Sequence, residues 1–190
     1  MSNYIEQYKE IHIKNPKYGS NNDPAAKPSE VLKLVKQNDC QYVLDYGCGK
    51  GVLVEFFNNN SITCEGFDPA VEEFFNKPSH KTGYDCITCL DVLEHIPYNG
   101  IDILLSDICS YNAQYTLFNV ALRKASQLLP NGTNAHLIVE DKDWWFCKLH
   151  NTFPKHKIIT INYKPVHSWL FAIQKVHLDS SIFNSSGLKL

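Results

Sequence analysis

The stretch of the chain best suited to chemistry is Asp45-Tyr46-Gly47-Cys48-Gly49-Lys50-Gly51. A strand-like run, Tyr42 to Asp45, leads into it, and a helical run through Val52, Leu53, Phe56 and Phe57 leads out. Glycines at alternate positions let a ligand approach the backbone closely. The helix that follows offers unpaired N–H groups and the positive end of its dipole. These features predict a ligand pocket at the carboxyl end of the first strand of a doubly wound sheet. The nicotinamide fingerprint, GxGxxG, has a different spacing and sets a pyrophosphate on the helix. Asp45 would repel a pyrophosphate and suits a ligand that carries an ammonium group. A second strand-like run, Ile62 to Phe67, ends at Asp68-Pro69. A carboxylate there can accept both hydroxyls of a ribose.

Two further groups of polar residues follow strand-like runs. One is Asp91-Val92-Leu93-Glu94-His95, after Tyr84 to Leu90. The other is Asn134-Ala135-His136, followed by Trp144-Trp145. Asn134 and His136 form a polar pair that would hang over the substrate side, and Trp144 could wall a flat or apolar substrate. A histidine titrates near neutrality, so His136, or else His95, is a candidate base for an acceptor. The alternative for either is a hydrogen bond that fixes its loop. His12, Tyr18 and Gly19 would cap the pocket, or else belong to a solvated arm. No metal is expected. Cys86 and Cys89 form a CxxC inside a strand, where residues three apart diverge to opposite faces.

The spacing D-x-G-x-G-x-G, with Asp68 after the second strand and the segment Asp91 to Ile96 (DVLEHI), resembles the class I S-adenosylmethionine-dependent methyltransferases. The likeness runs from about Val31 to Val176. It implies a glycine loop facing the methionine moiety and an acid on the cofactor ribose. The cofactor contacts it implies are Asp45, Tyr46, Gly47, Cys48, Gly49, Gly51, Asp68, Pro69, Leu90 and Asp91, with Asn134, Trp144 and Tyr18 toward the acceptor. It also implies a seven-stranded sheet in the order 3-2-1-4-5-7-6, with strand seven antiparallel. Lys77 to Gly83 leaves room only for a short or degenerate third strand, and the adenine contact is unassigned there. The run NAHLI followed by WW resembles methyltransferase-like proteins of bacteriophages, which suggests a viral or bacterial origin.

Behind these residues stands an α/β pattern of alternating strand-like and helical runs. Further helices are expected from Pro28, at Ile101 to Cys109 and at Asp143 to Phe153. A strand is expected at Tyr115 to Leu122, and a closing hairpin at Lys157 to Tyr163 and Trp169 to Val176. At 190 residues one domain is expected: an arm or cap over 1–27, a core over 28–178 and a tail over 179–190. Seven cysteines without a signal-like start argue for a reducing, cytoplasmic setting. No run is long and apolar enough for a membrane helix. The formal net charge is −2 and Arg123 is the single arginine, which disfavours duplex nucleic acid as a partner. Neither an Asp/Asn-Pro-Pro-Tyr/Phe tetrad nor a Pro-Cys after the fourth strand is present, so the acceptor expected from the resemblance is a small molecule. A non-catalytic cofactor-binding protein on the same fold is the alternative.

Overall fold

The apolar residues of the short central runs are buried on both faces, as a parallel sheet covered on both sides requires. A computed structural model describes residues 2–15, 17–19, 27–80 and 83–176. Its elements are α1 (Ser2–Lys14), α2 (Pro28–Gln37), β1 (Tyr42–Tyr46), α3 (Val52–Asn58), β2 (Thr63–Phe67), β3 (Cys86–Leu90), α4 (Ile101–Ser110), β4 (Tyr115–Ala121), α5 (Lys142–Thr152), β5 (His156–Lys164) and β6 (Ser168–Lys175). The expected tail at 179–190 lies outside the described residues.

Among the described residues the sheet has six strands in the order β2-β1-β3-β4-β6-β5, rather than the expected seven with a short or degenerate third. β2, β1, β3 and β4 are mutually parallel. β6 returns antiparallel beside β4, and β5 pairs antiparallel with β6. Where a third strand was expected beyond β2, the described residues hold a 3-10 turn at Glu72–Phe74. The Asp68 N–H donates to the Phe74 carbonyl at 2.9 Å, which folds the chain back at once. Pro69 and Pro78 supply no N–H for a ladder, so the segment is poorly suited to a strand.

One layer of helices packs on each face. Val31 and Val35 of α2 and Leu53, Val54 and Phe57 of α3 join Val43, Cys86 and Leu117 on one side. Ile101, Leu105 and Ile108 of α4 and Trp145 and Leu149 of α5 join Leu44, Ile87, Cys89 and Phe118 on the other. Cys86 and Cys89 thus enter different layers, and both are free thiols. A third, smaller cluster brings Ile11 of α1 against Leu129 and Ala135, with Tyr4, Tyr8 and Tyr18 around it. Of the stretch expected to be an arm or a cap, Ser2–Lys14 forms a helix docked on this cluster. Tyr4, Tyr8 and Ile11 recur at helical spacing and carry the docking face.

Candidate functional site

The glycine loop hangs from the ends of two adjacent parallel strands. The N–H groups of Gly47 and Cys48 both donate to the Phe67 carbonyl at the end of β2, at 2.7 and 3.1 Å. Gly47, Gly49 and Gly51 take φ of +82°, +53° and +73°. At Gly49 the conformation and the surroundings both require glycine. A Cβ there would stand 2.7 Å from the Gly19 carbonyl oxygen. Gly47 lies under Val92, whose Cγ2 would be 2.3 Å from an added Cβ. The loop is thus clasped between the N-terminal segment and the turn after β3.

Two carboxylates flank it. Asp45, at the end of β1, is 2% exposed. Its Oδ1 accepts from Thr88 Oγ1 at 2.7 Å, while Oδ2 is buried with no hydrogen-bond partner. Burial pushes the carboxyl up to about 7; the Thr88 bond opposes this and the charge of Asp68 adds to it. An acid with one orphaned oxygen, on the margin of ionisation, would be completed by a cationic ligand group. Asp68, just beyond β2, accepts from the Gly49 N–H at 2.9 Å and from the Ala70 N–H at 2.8 Å. It braces the loop, and its remaining lone pairs can accept hydroxyl donors.

The other expected cofactor contacts divide into two kinds. The side chains of Tyr46, Cys48 and Leu90 are buried in the core layers. The Tyr46 hydroxyl donates to Asp107 Oδ2 at 2.7 Å. Any contact these three make with a ligand therefore runs through their backbone. Pro69 is half-buried in the turn after Asp68. Asp91 has φ of +54°, and its Oδ1 accepts from Asn119 Nδ2 at 2.6 Å, clasping the ends of β3 and β4.

A second polar group forms where the segment between β4 and α5 crosses the turn after β3. Asn134 is consumed in holding that segment. Its Oδ1 accepts from the Ala125 and His136 N–H groups, and its Nδ2 donates to the Ala125 carbonyl, all between 2.9 and 3.0 Å. Asn134 was expected toward the substrate; its amide oxygen and one amide N–H are engaged in holding this segment. The Leu137 and Ile138 N–H groups donate to the Glu94 carbonyl. Glu94 is fully buried, and its Oε1 accepts from the Ala121 N–H at 2.8 Å. His95 Nδ1 lies 2.8 Å from the Ala135 carbonyl, and His136 Nδ1 lies 2.5 Å from the Arg123 carbonyl. A carbonyl can only accept, so each Nδ1 carries the proton and each neutral ring keeps its lone pair on Nε2.

The two rings are 5.0 Å apart, edge to face. Burial, with His136 adding to it, pushes the His95 pKa down to about 4. Burial likewise lowers that of His136. Ligand atoms of Glu94, His95 and His136 all lie within 4.8 Å of one another. No metal is expected from the sequence, yet these residues, some forty positions apart in it, meet in space.

The N-terminal segment joins the two groups. Gly19 rests on Gly49, and His12 rests on Gly19. The His12 ring meets Tyr18 at 5.0 Å, and Tyr18 meets His95 at 6.4 Å. The Tyr8 hydroxyl donates to the carbonyls of Ala135 and His95 at 2.7 and 3.0 Å. Tyr18 is thus brought to the site as expected of a cap. Trp144 is placed against Tyr98, Trp145 and Lys148. Sequence reasoning missed Thr88, Tyr8 and Asn119. Only Tyr8 carried a signal, its helical spacing from Tyr4 and Ile11.

A family model described as a methyltransferase domain matches residues 18–181. The ubiquinone biosynthesis O-methyltransferase of Saccharophagus degradans is 26% identical over 165 residues. That match covers 67% of this chain and 65% of the relative, just under two thirds of its length. Among solved structures, the Burkholderia thailandensis 1,6-didemethyltoxoflavin-N1-methyltransferase, with 1,6-didemethyltoxoflavin and S-adenosylhomocysteine bound, superposes with a TM-score of 0.63 at 13% identity. It covers 93% of this chain and 90% of its own. The small RNA methyltransferase HEN1 superposes at 0.61 and 11% identity, over 80% of this chain and 25% of its own. At such identities the two structures establish the shared fold alone.

Proposed function

The chain belongs to the methyltransferase-domain family, whose methyl donor is S-adenosylmethionine, and from that premise we propose that it methylates a small-molecule acceptor. The observation that carries the reading is the glycine loop held between two acids, one with a buried, orphaned oxygen. That oxygen fits the donor's ammonium group, which would supply the missing partner and favour the ionised acid. Asp68 would take the ribose hydroxyls, and the backbone of Gly47 to Gly51 the methionine end. When bound, the donor supplies an electrophilic methyl on a sulfonium centre.

The chain's own residues do the rest by positioning and by excluding water. The N-terminal segment lies across the glycine loop, so Tyr18 and His12 would shield the reacting groups from solvent. His136 is uncharged at neutral pH and could take a proton from the acceptor. The net charge of −2 and the single arginine support a small acceptor over a polyanionic one. Similarity to the ubiquinone biosynthesis and 1,6-didemethyltoxoflavin methyltransferases points the same way.

The test is turnover. The protein is incubated with S-adenosylmethionine and a panel of phenols, heteroaromatics, hydroxy acids and short RNAs, and S-adenosylhomocysteine is measured. Release that depends on a small acceptor is expected. His136→Ala should keep cofactor binding and slow transfer by about 10²-fold or more. Release with RNA alone would overturn the small-molecule reading. Donor binding without turnover on any acceptor would favour the non-catalytic alternative.

A further inference from the structure

Beside the glycine loop, the Glu94, His95 and His136 group has the construction of a metal site. Three features argue for it, and none requires a bound ion.

The first is tautomer control. Both imidazoles are anchored through Nδ1 to backbone carbonyls, of Ala135 and Arg123. Such a bond is the usual outer support of a metal-binding histidine: it fixes the ring orientation and leaves Nε2 as the donor atom. One such ring is an ordinary structural feature. Two of them edge to face, 5.0 Å apart, with a buried carboxylate beside them, are an arrangement that core packing does not call for.

The second is the donor set. Two neutral nitrogens and one carboxylate oxygen make three protein ligands, which leaves coordination positions open as catalytic rather than structural sites do. The set suits a borderline divalent cation such as zinc or manganese better than calcium, which takes oxygen ligands throughout. The separation, up to 4.8 Å, exceeds the roughly 4.2 Å that two ligands about 2.1 Å from one ion can span. The side chains would therefore draw in by somewhat over half an ångström. The segment carrying His136 passes through exposed residues around Gly132, so that adjustment need not disturb the sheet.

The third is position. The turn that carries Glu94 and His95 also carries Val92, which lies on Gly47. Tyr18 and Tyr8 of the N-terminal segment pack on His95, while Gly19 of the same segment lies on Gly49. One cover spans both groups.

We propose that Glu94, His95 Nε2 and His136 Nε2 bind one divalent cation, and that its open positions take the hydroxyl oxygen of the acceptor. The role assigned to the cation rests on the methyl-transfer reading; the cation site itself does not. Coordination makes the hydroxyl more acidic. The O–H bond breaks with its proton passing to water, because the His136 Nε2 lone pair that would act as the base without a cation is held by the cation here. The oxygen's electron pair forms the new O–CH3 bond, and the pair of the S–CH3 bond stays on sulfur. The acceptor class is accordingly one with a hydroxyl, or two adjacent hydroxyls, rather than an amine.

The test uses the full chain stripped with chelator. Zinc chloride and manganese chloride are titrated by calorimetry, with S-adenosylmethionine titrated separately into the same preparation. One equivalent of cation is expected to bind. Manganese should broaden the ring signals of His95 and His136 before those of the other histidines. Losing a direct ligand through His136→Ala should weaken cation binding by more than the roughly hundredfold that losing an outer support costs. The same variant should bind S-adenosylmethionine within about twofold of the parent, which shows that it is folded. His95→Asn provides a second route to the same loss. Failure of the parent to bind either ion at millimolar concentration would overturn the proposal, as would a His136→Ala protein that binds as tightly. If the cation binds but S-adenosylmethionine does not, the methyl-transfer reading falls and the cation site stands.

Discussion

The two polar regions of the molecule are built in opposite ways. The glycine-loop region comes from one strand–loop–helix passage and the tip of the neighbouring parallel strand. Asp45 and Asp68 are held by the register that pairs Asp45 with Gly66 and Tyr46 with Phe67. The His95–His136 region has no such frame. It depends on an irregular segment of some twenty residues, tied down by Asn134, by the Glu94 carbonyl and by the Tyr8 hydroxyl. A sheet fixes its ligand groups through backbone pairing, whereas a crossing segment fixes them through side-chain bonds that could each be lost singly. The first region should therefore govern donor affinity, and the second should govern turnover and local stability.

The largest expected separation comes from Asp68→Ala. It removes an acceptor for two loop N–H groups as well as the site for the ribose hydroxyls. Charge-assisted bonds are worth about 1.5–3 kcal/mol each, so S-adenosylmethionine affinity should fall roughly a hundredfold or more by calorimetry, and cation binding should persist. Should both fall together, the two regions are not separable as argued. Next is Gly49→Ala. The left-handed backbone costs an L-residue about 1–2 kcal/mol, and the new Cβ presses on the Gly19 carbonyl. A lower melting temperature and greater proteolytic cleavage near the N terminus should follow.

A smaller effect sharpens the role of Asp45. Its folded carboxyl lies at about 7, above its unfolded value. Its contribution to the stability of the ligand-free protein is therefore fully present below the ordinary carboxylate range and is lost as pH rises through about 7. Binding of an ammonium group requires the ionised form, so donor affinity should rise about tenfold from pH 6 to pH 8. Asp45→Asn should bind weakly and without that slope. A parent protein with a flat profile would remove Asp45 from the ammonium contact.

The smallest effect tests the crossing segment. Tyr8→Phe deletes the hydroxyl whose one proton is shared between the Ala135 and His95 carbonyls while keeping the ring against His95. It should cost about 1 kcal/mol in denaturant unfolding. Amide exchange should quicken around Ala135 and His136, and S-adenosylmethionine affinity should not change.

The same contrast explains what could be read from the sequence. Contiguous features were legible. The glycine spacing, the strand runs and the apolar faces of α4 and α5 each repeat with the period of the structure that uses them. The β6 strand was legible for the same reason, since Trp169 to Val176 alternates and then pairs antiparallel with β4. The edge strand beyond β2, which the described residues do not form, was only half visible: the short segment Lys77 to Gly83 argued against it, while the family pattern argued for it. The helix α1 was hidden by its polarity: beside buried Ile11 its docking face offers half-buried Tyr4 and Tyr8 and the polar, buried Gln7. The meeting of His95 with His136 left no trace in spacing, since it is set by where an irregular segment happens to be tied. The part of Asn134 in holding its segment was hidden for a related reason. A polar side chain in a loop looks free until its backbone partners are known.

The central claim is that the loop between Asp45 and Asp68 is the S-adenosylmethionine site. Calorimetric titration of S-adenosylmethionine into the full chain at pH 8 tests it most directly, run beside Asp68→Ala protein shown to be folded by circular dichroism. The account predicts saturable one-to-one binding by the parent and a loss of roughly a hundredfold or more in the variant. No heat from the folded parent at millimolar donor, or equal affinity in the two proteins, would contradict it.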